Sequence, residues 1–241
     1  MASQLNKIAY ITGSSKGIGE ALANKLLNNG YVVVGLSRTQ TFEAYNFTHI
    51  QLNLNDLNAV KAFEFLQNAD QVLLVNNAGI IGEIAPVGQV ANQSLQDVLT
   101  INTIAPQILI NNFMKRYLGK IAHGHILNIS SGAGKNPIDA WASYCSSKAA
   151  LDMFSETVKT ELQLREIVNW YIHSVAPGVV DTDMQKQIRN ANPVSFKLLN
   201  KFIALKKEQQ LALPNAVANI LYAVIQNPSS FKETIISVRN F

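Results

Sequence analysis

Cysteine is almost absent from this 241-residue chain: Cys145 stands alone, so no internal disulfide can form. Charge is scarce as well. Asp, Glu, Lys and Arg make up 15% of the residues against 48% apolar ones, a balance that excludes a disordered polymer and supports a sizeable buried core. Basic residues outnumber acidic ones by 20 to 16, yet no basic run exceeds a pair such as Lys206-Lys207. Nucleic-acid binders cluster their Lys and Arg, so that partner is not expected. A net charge of +4 suits a ligand that carries several phosphates. Long apolar runs are also missing, and none reaches the ~18 residues a membrane helix needs. The opening MASQLNKIAY has no apolar signal core and enters a strand pattern at once. A soluble, cytoplasmic protein without membrane partners is expected. The four histidines, His49, His123, His125 and His173, show no ligand-like spacing, so no metal is expected.

What the chain does have is alternation. Short runs rich in Val and Ile occur at Ile8–Thr12, Tyr31–Leu36, His49–Leu52, Val72–Val75, His125–Ile129, Val168–Val175 and Thr234–Val238. Longer amphipathic segments separate them. The pattern predicts an α/β fold, a Rossmann-type doubly wound parallel sheet of about seven strands with helices on both faces. Such strands are expected to be apolar on both sides. No linker divides the chain, so a single domain over 1–241 is expected. Helices are predicted at Ile18–Leu27, at Gln93–Tyr117 with a kink at Pro106, at Ser143–Arg165 and at Pro214–Gln226. The segment 183–213 is irregular and reads either as a substrate flap or as an extra surface helix.

The first strand ends in Thr12-Gly13-Ser14-Ser15-Lys16-Gly17-Ile18-Gly19, and a helix follows at once. Glycines there let the backbone turn tightly and approach a pyrophosphate, and the helix N-terminus offers free N–H groups and a positive dipole end. Gly13, Ser15, Lys16, Gly17, Ile18 and Gly19 are the candidate phosphate residues. Their GxxxGxG spacing resembles the short-chain dehydrogenase/reductase superfamily, whose members bind a nicotinamide dinucleotide.

The second strand ends in Leu36-Ser37-Arg38, with no carboxylate until Glu43. An acidic residue there would bond the ribose 2′-hydroxyl of NAD. Arg38 instead offers a planar charged fork that suits a 2′-phosphate, and Lys16 adds a second positive charge. The combination resembles NADPH-preferring members, so NADPH/NADP+ is the expected cofactor. Asn53-Leu54, after the third strand, stands where relatives carry Asp and an apolar residue beside the adenine. Asn53 departs from that pattern but retains hydrogen-bonding groups.

Tyr144-Cys145-Ser146-Ser147-Lys148 is a YxxxK motif at the start of a long helix. Residues i and i+4 share a helix face, and an ammonium beside a phenol favours the phenolate and lowers its pKa from ~10. Upstream stand Ser130 and Ser131, either of which could bond a carbonyl oxygen. The thirteen-residue separation of Ser131 from Tyr144 matches that of relatives and favours Ser131. Further resemblance implies that Asn102 supports proton resupply, that Asn77, Ala78 and Gly79 line the cofactor, and that Pro177, Gly178, Val180 and Thr182 contact its nicotinamide end.

Together these motifs imply an oxidoreductase acting on a small-molecule carbonyl: Tyr144 as general acid, Lys148 tuning it, Ser131 aligning the substrate, and Tyr144 and Lys148 also touching the cofactor. Closer similarity, in Ser130–Gly134, Tyr144-Cys145 and Asp181–Gln185, is to the benzil reductase and sepiapterin reductase-like branch. Ile81, Pro137, Trp141 and Met184 are candidates for an apolar substrate wall. Cys145 is expected only to pack. A homodimer or homotetramer through the two long helical segments is implied. A 3-ketoacyl-carrier-protein reductase and a non-catalytic NADPH-sensing protein stand as alternatives.

Overall fold

A computed structural model describes residues 6–65 and 69–240. Residues 1–5 and 66–68 and Phe241, part of the expected 1–241 domain, lie outside that description. Seven parallel strands form one sheet in the order β3-β2-β1-β4-β5-β6-β7. They are β1 (Lys7–Thr12), β2 (Tyr31–Ser37), β3 (Phe47–Gln51), β4 (Gln71–Asn76), β5 (His123–Ile129), β6 (Trp170–Ala176) and β7 (Ile235–Ser237). The expected doubly wound sheet is therefore present. The order reverses between β1 and β4, and that switch point opens a crevice at the carboxyl edge of the sheet.

Helices cover both faces. On one side α1 (Gly17–Leu27) and α8 (Pro214–Gln226) bury Leu22, Leu26, Leu221 and Ile225 against Ile11, Val33 and Val75. On the other, α2 (Leu57–Ala62), α4 (Ala105–Tyr117) and α5 (Ala142–Leu164) pack Val60, Leu109, Phe113 and Val158 on Tyr10, Leu74 and Ile126. The central strands are buried on both sides as expected. β3 is not: at the sheet edge every one of its residues is at least partly exposed, because no strand flanks its outer side.

Two segments differ from the sequence expectation. The helix foreseen over Gln93–Tyr117 is split into α3 (Asn92–Leu99), a π-helical turn at Thr100–Ile104, and α4. Pro106 lies at the second residue of α4, directly after the π-helical turn. The irregular segment 183–213 holds two helices, α6 (Asp183–Arg189) and α7 (Leu199–Lys207). Val168, placed in the sixth strand by its apolar side chain, is an exposed residue before β6. Among the described residues, no helix is long and apolar enough to cross a membrane.

Candidate active site

The crevice has a volume of about 1710 Å³ and runs from the glycine turn after β1 to the α6–α7 segment. Gly13, Ser15, Lys16, Gly17 and Ile18 form one end. Gly13 and Gly17 hold φ of 66° and 61°, backbone that only glycine adopts freely. The N-terminus of α1 has no side-chain cap, so its N–H groups are left for a ligand. Gly19 does not line the crevice. It is buried, and a Cβ there would collide with the Gly13 carbonyl and the Asn77 amide. Its glycine serves the packing of helix on turn.

Asn77 fastens this turn to β4. Its Nδ2 donates to the carbonyls of Thr12 and Gly13 at 3.0 and 3.1 Å, while Thr12 Oγ1 accepts from the N–H groups of Asn77 and Ala78. Ala78 and Gly79 continue the crevice wall. Arg38 lines the end near β2 and makes no ion pair among the described residues. Lys16 also lines it, but its Nζ lies 2.5 Å from Asp183 Oδ2 at the start of α6. Both partners are largely exposed, so this pair contributes little and leaves Lys16 able to exchange partners. Asn53 and Leu54 line the same end, and Asn53 Oδ1 accepts from Asn55 N.

At the other end, the first two turns of α5 carry Tyr144 and Lys148 on one face, both at least 94% buried and both lining the crevice. The Ser131 hydroxyl lies close enough to Tyr144 to favour its phenolate, which sets it apart from Ser130. Ser130 lines the crevice too, with a buried hydroxyl that has no partner among the described residues. Ser131 also accepts from Ala133 N, which caps the short helical turn Gly132–Gly134 and fixes its rotamer.

The electrostatics differ from expectation. Burial pushes the Tyr144 phenol up to about 12, opposed by the Ser131 hydroxyl. Burial pulls Lys148 down to about 8, opposed by Asp152. Lys148 sits 5.7 Å from the centre of the Tyr144 ring and donates to the Ile129 carbonyl at 2.8 Å. In this structure, then, the ammonium does not overcome the dehydration of the phenol.

Asn102 lies behind the wall, not on it. It sits in the π turn and clasps Ile80: Ile80 N donates to Asn102 Oδ1 at 2.9 Å, and Asn102 Nδ2 donates to Ile80 O at 2.8 Å. The same Nδ2 reaches Ser147 Oγ, whose hydroxyl donates to the Tyr144 carbonyl. Asn102 thus couples the loop after β4 to the turn of α5 that carries Tyr144. Ser147 was not singled out from the sequence, although its place inside YxxxK was a signal.

Pro177, Gly178, Val180 and Thr182 line the crevice after β6. Ile81, Trp141 and Met184 form an apolar wall near Tyr144. Pro137 does not: it is exposed, and the turn presents Ile138 to the crevice instead. Phe202, from α7, completes the wall, with Phe196 buried behind it. Neither phenylalanine was foreseen. Among the described residues, no three His, Cys, Asp or Glu side chains are grouped as a metal site.

A sequence profile for short chain dehydrogenase matches residues 7–193. Benzil reductase ((S)-benzoin forming) of Bacillus cereus is 37% identical over 238 residues, covering 91% of this chain and 94% of its own. This protein belongs to the short-chain dehydrogenase family. The benzil reductase of Bacillus subtilis (strain 168) is 36% identical, with 91% and 93% covered, so the chain resembles that branch of the family. A short-chain dehydrogenase/reductase structure from Saccharomyces cerevisiae superposes with a TM-score of 0.82 over 96% of each chain, at 26% identity. As a short-chain dehydrogenase the protein is an oxidoreductase acting on carbonyl or hydroxyl groups of a small molecule. The crevice fits a nicotinamide dinucleotide: an uncapped helix N-terminus, left-handed glycines and a free guanidinium at one end, and a buried phenol and ammonium at the other.

Proposed function

We propose that this protein is an NADPH-dependent carbonyl reductase that converts a ketone or aromatic diketone to an alcohol. The observation that carries this reading is the convergence of Ser131, Tyr144 and Lys148 on one crevice with the glycine turn. Gly13, Ser15, Lys16, Gly17 and Ile18 hold the pyrophosphate, Arg38 takes the 2′-phosphate, and Pro177 to Thr182 face the nicotinamide end. Bound there, NADPH supplies the hydride. Ser131 bonds and polarises the carbonyl oxygen. Tyr144 gives that oxygen its proton, and Lys148 stabilises the phenolate left behind. A phenol held near 12 is a weak acid but stays fully protonated at neutral pH, which suits the reducing direction. The named activity of the Bacillus relatives supports a diketone substrate, and the Trp141 and Phe202 wall supports an aromatic one.

We also propose a homodimer or homotetramer through α3, α4 and α5. Leu99 and Met153 are exposed there, as is Ile104 in the π turn. The α6–α7 segment is proposed to act as the substrate flap.

The test is oxidation of NADPH and of NADH, side by side, with a panel of diketones. Turnover with NADPH, lost by about 10² to 10⁴-fold in Tyr144→Phe while NADPH binding persists, is the expected result. Unchanged turnover in Tyr144→Phe overturns the assignment.

A further inference from the structure

Along α5 a third ionisable side chain follows Tyr144 and Lys148 at the same four-residue interval. Asp152 is 96% buried and lines the same crevice. A buried carboxylate is costly unless it is paired, so its retention here calls for a cause. Ser174 of β6 donates to Asp152 Oδ1 at 2.6 Å and fixes the side chain. Oδ2 has no hydrogen-bond partner among the described residues. The Gly132–Gly134 turn is shaped around that oxygen: a Cβ at Gly134 would lie 2.8 Å from it. Asp152 is thus held by one strand, bordered by one glycine turn, and placed one helical turn from the ammonium.

We propose that Asp152 is a positioning residue for the reaction: its fixed carboxylate keeps Lys148 protonated inside the buried site, and through Lys148 keeps the phenolate of Tyr144 within reach. This rests on the reading of Tyr144 and Lys148 given above. The surroundings agree. Lys148 donates to a neutral backbone carbonyl, that of Ile129 on β5, and Asn102 behind Gly79 is a neutral amide. Lys135, Glu233 and Arg239, which line the crevice from other elements, are exposed and screened by solvent. Tyr144 is the other ionisable group beside the ammonium. Burial disfavours the charged lysine, and Asp152 is the charge that opposes it.

Asp152→Asn keeps the shape and an acceptor for Ser174 while removing the charge. Lys148 then loses its proton at lower pH, so the alkaline fall of kcat in diketone reduction moves down by about one pH unit. At pH 9 turnover should fall about tenfold below that of the parent, and at pH 6 the two should agree within about twofold. Asp152→Glu should restore part of the shift. Ser174→Ala, which frees the carboxylate without removing it, should move the profile the same way by less, and it serves where Asp152→Asn does not fold. Superimposable pH profiles, or an equal loss at every pH, overturn the proposal. Tyr144→Phe run in parallel separates the two levels: if that variant still turns over, the reading of the site fails, whatever Asp152 does.

Discussion

The indole of Trp141 lies against the ring of Phe196, centroids 5.5 Å apart and planes inclined by 21°. Trp141 also meets Tyr144 edge-on at 5.7 Å, and Phe202 closes the group at 5.4 Å from Trp141. The Tyr144 phenol is therefore joined to the α6–α7 segment through one aromatic stack. Pairs of this kind contribute about 0.5 to 1.5 kcal/mol beyond the area they bury. Phe202→Leu keeps the apolar volume but removes the ring. It should raise KM for an aryl diketone about three- to tenfold, with little change for a small aliphatic diketone. Steady-state kinetics on both substrates check this, and equal losses on both would show that the ring serves folding alone.

Arg38 governs the proposed choice of cofactor. Its guanidinium has no carboxylate partner among the described residues, whereas Lys16 already has Asp183. Arg38→Ala should raise KM for NADPH at least about tenfold and leave KM for NADH nearly unchanged, since a charged hydrogen bond is worth about 1.5 to 3 kcal/mol. Lys16→Ala should have the smaller effect of the two. The ratio of the two KM values is the measurement.

Stability should rise with pH on the alkaline side of neutrality. Lys148 is held at about 8 against an ordinary 10.5. Between those values the unfolded chain binds a proton that the folded one has released, so the folded state gains as pH climbs through that window. Tyr144 acts oppositely and later: held at about 12 against 10, it costs stability only as pH rises beyond 10. Denaturant unfolding from pH 7.5 to 9.5 should show the rise, and Lys148→Met should flatten it.

A second buried pair sets the acid side. His125 Nε2 lies 2.9 Å from His173 Nδ1, and His173 Nε2 lies 3.1 Å from the Phe231 carbonyl. A carbonyl only accepts, so His173 donates through Nε2 and accepts through Nδ1, and His125 donates through Nε2. Protonating either ring breaks this order or places charge in the core, and burial holds both below the usual histidine range. The folded state binds fewer protons than the unfolded one below about 6.5, so stability falls as pH drops through that point. His125→Gln, which retains a donor at similar reach, should lose less melting temperature between pH 7 and pH 5 than the parent.

The sequence displayed some of this directly. Gly13, Gly17, Tyr144 and Lys148 are legible because their chemistry is local: a turn of fixed φ, and two side chains one helical turn apart. The central strands were legible because burial on both faces leaves unbroken apolar runs. Phe196 and Phe202 were not, since they reach Trp141 only when α6 and α7 fold back across more than fifty residues. Asp152 was hidden for another reason. A carboxylate four residues beyond a lysine reads as an ordinary surface ion pair, and only Ser174 on a distant strand reveals its burial. Pro137 went wrong by one residue, because a turn decides which neighbour points inward and apolar character alone does not.

The π turn at Thr100–Ile104 holds one residue more than a regular helix would over the same rise. Remove a residue there and the bulge could close into a regular helix that keeps its facing beyond the turn, with Asn102 carried off Ile80. Chain length at this turn therefore matters to the clasp on Ile80 as much as the asparagine itself does: a shorter turn could still be helical, yet it would no longer tie down the loop after β4.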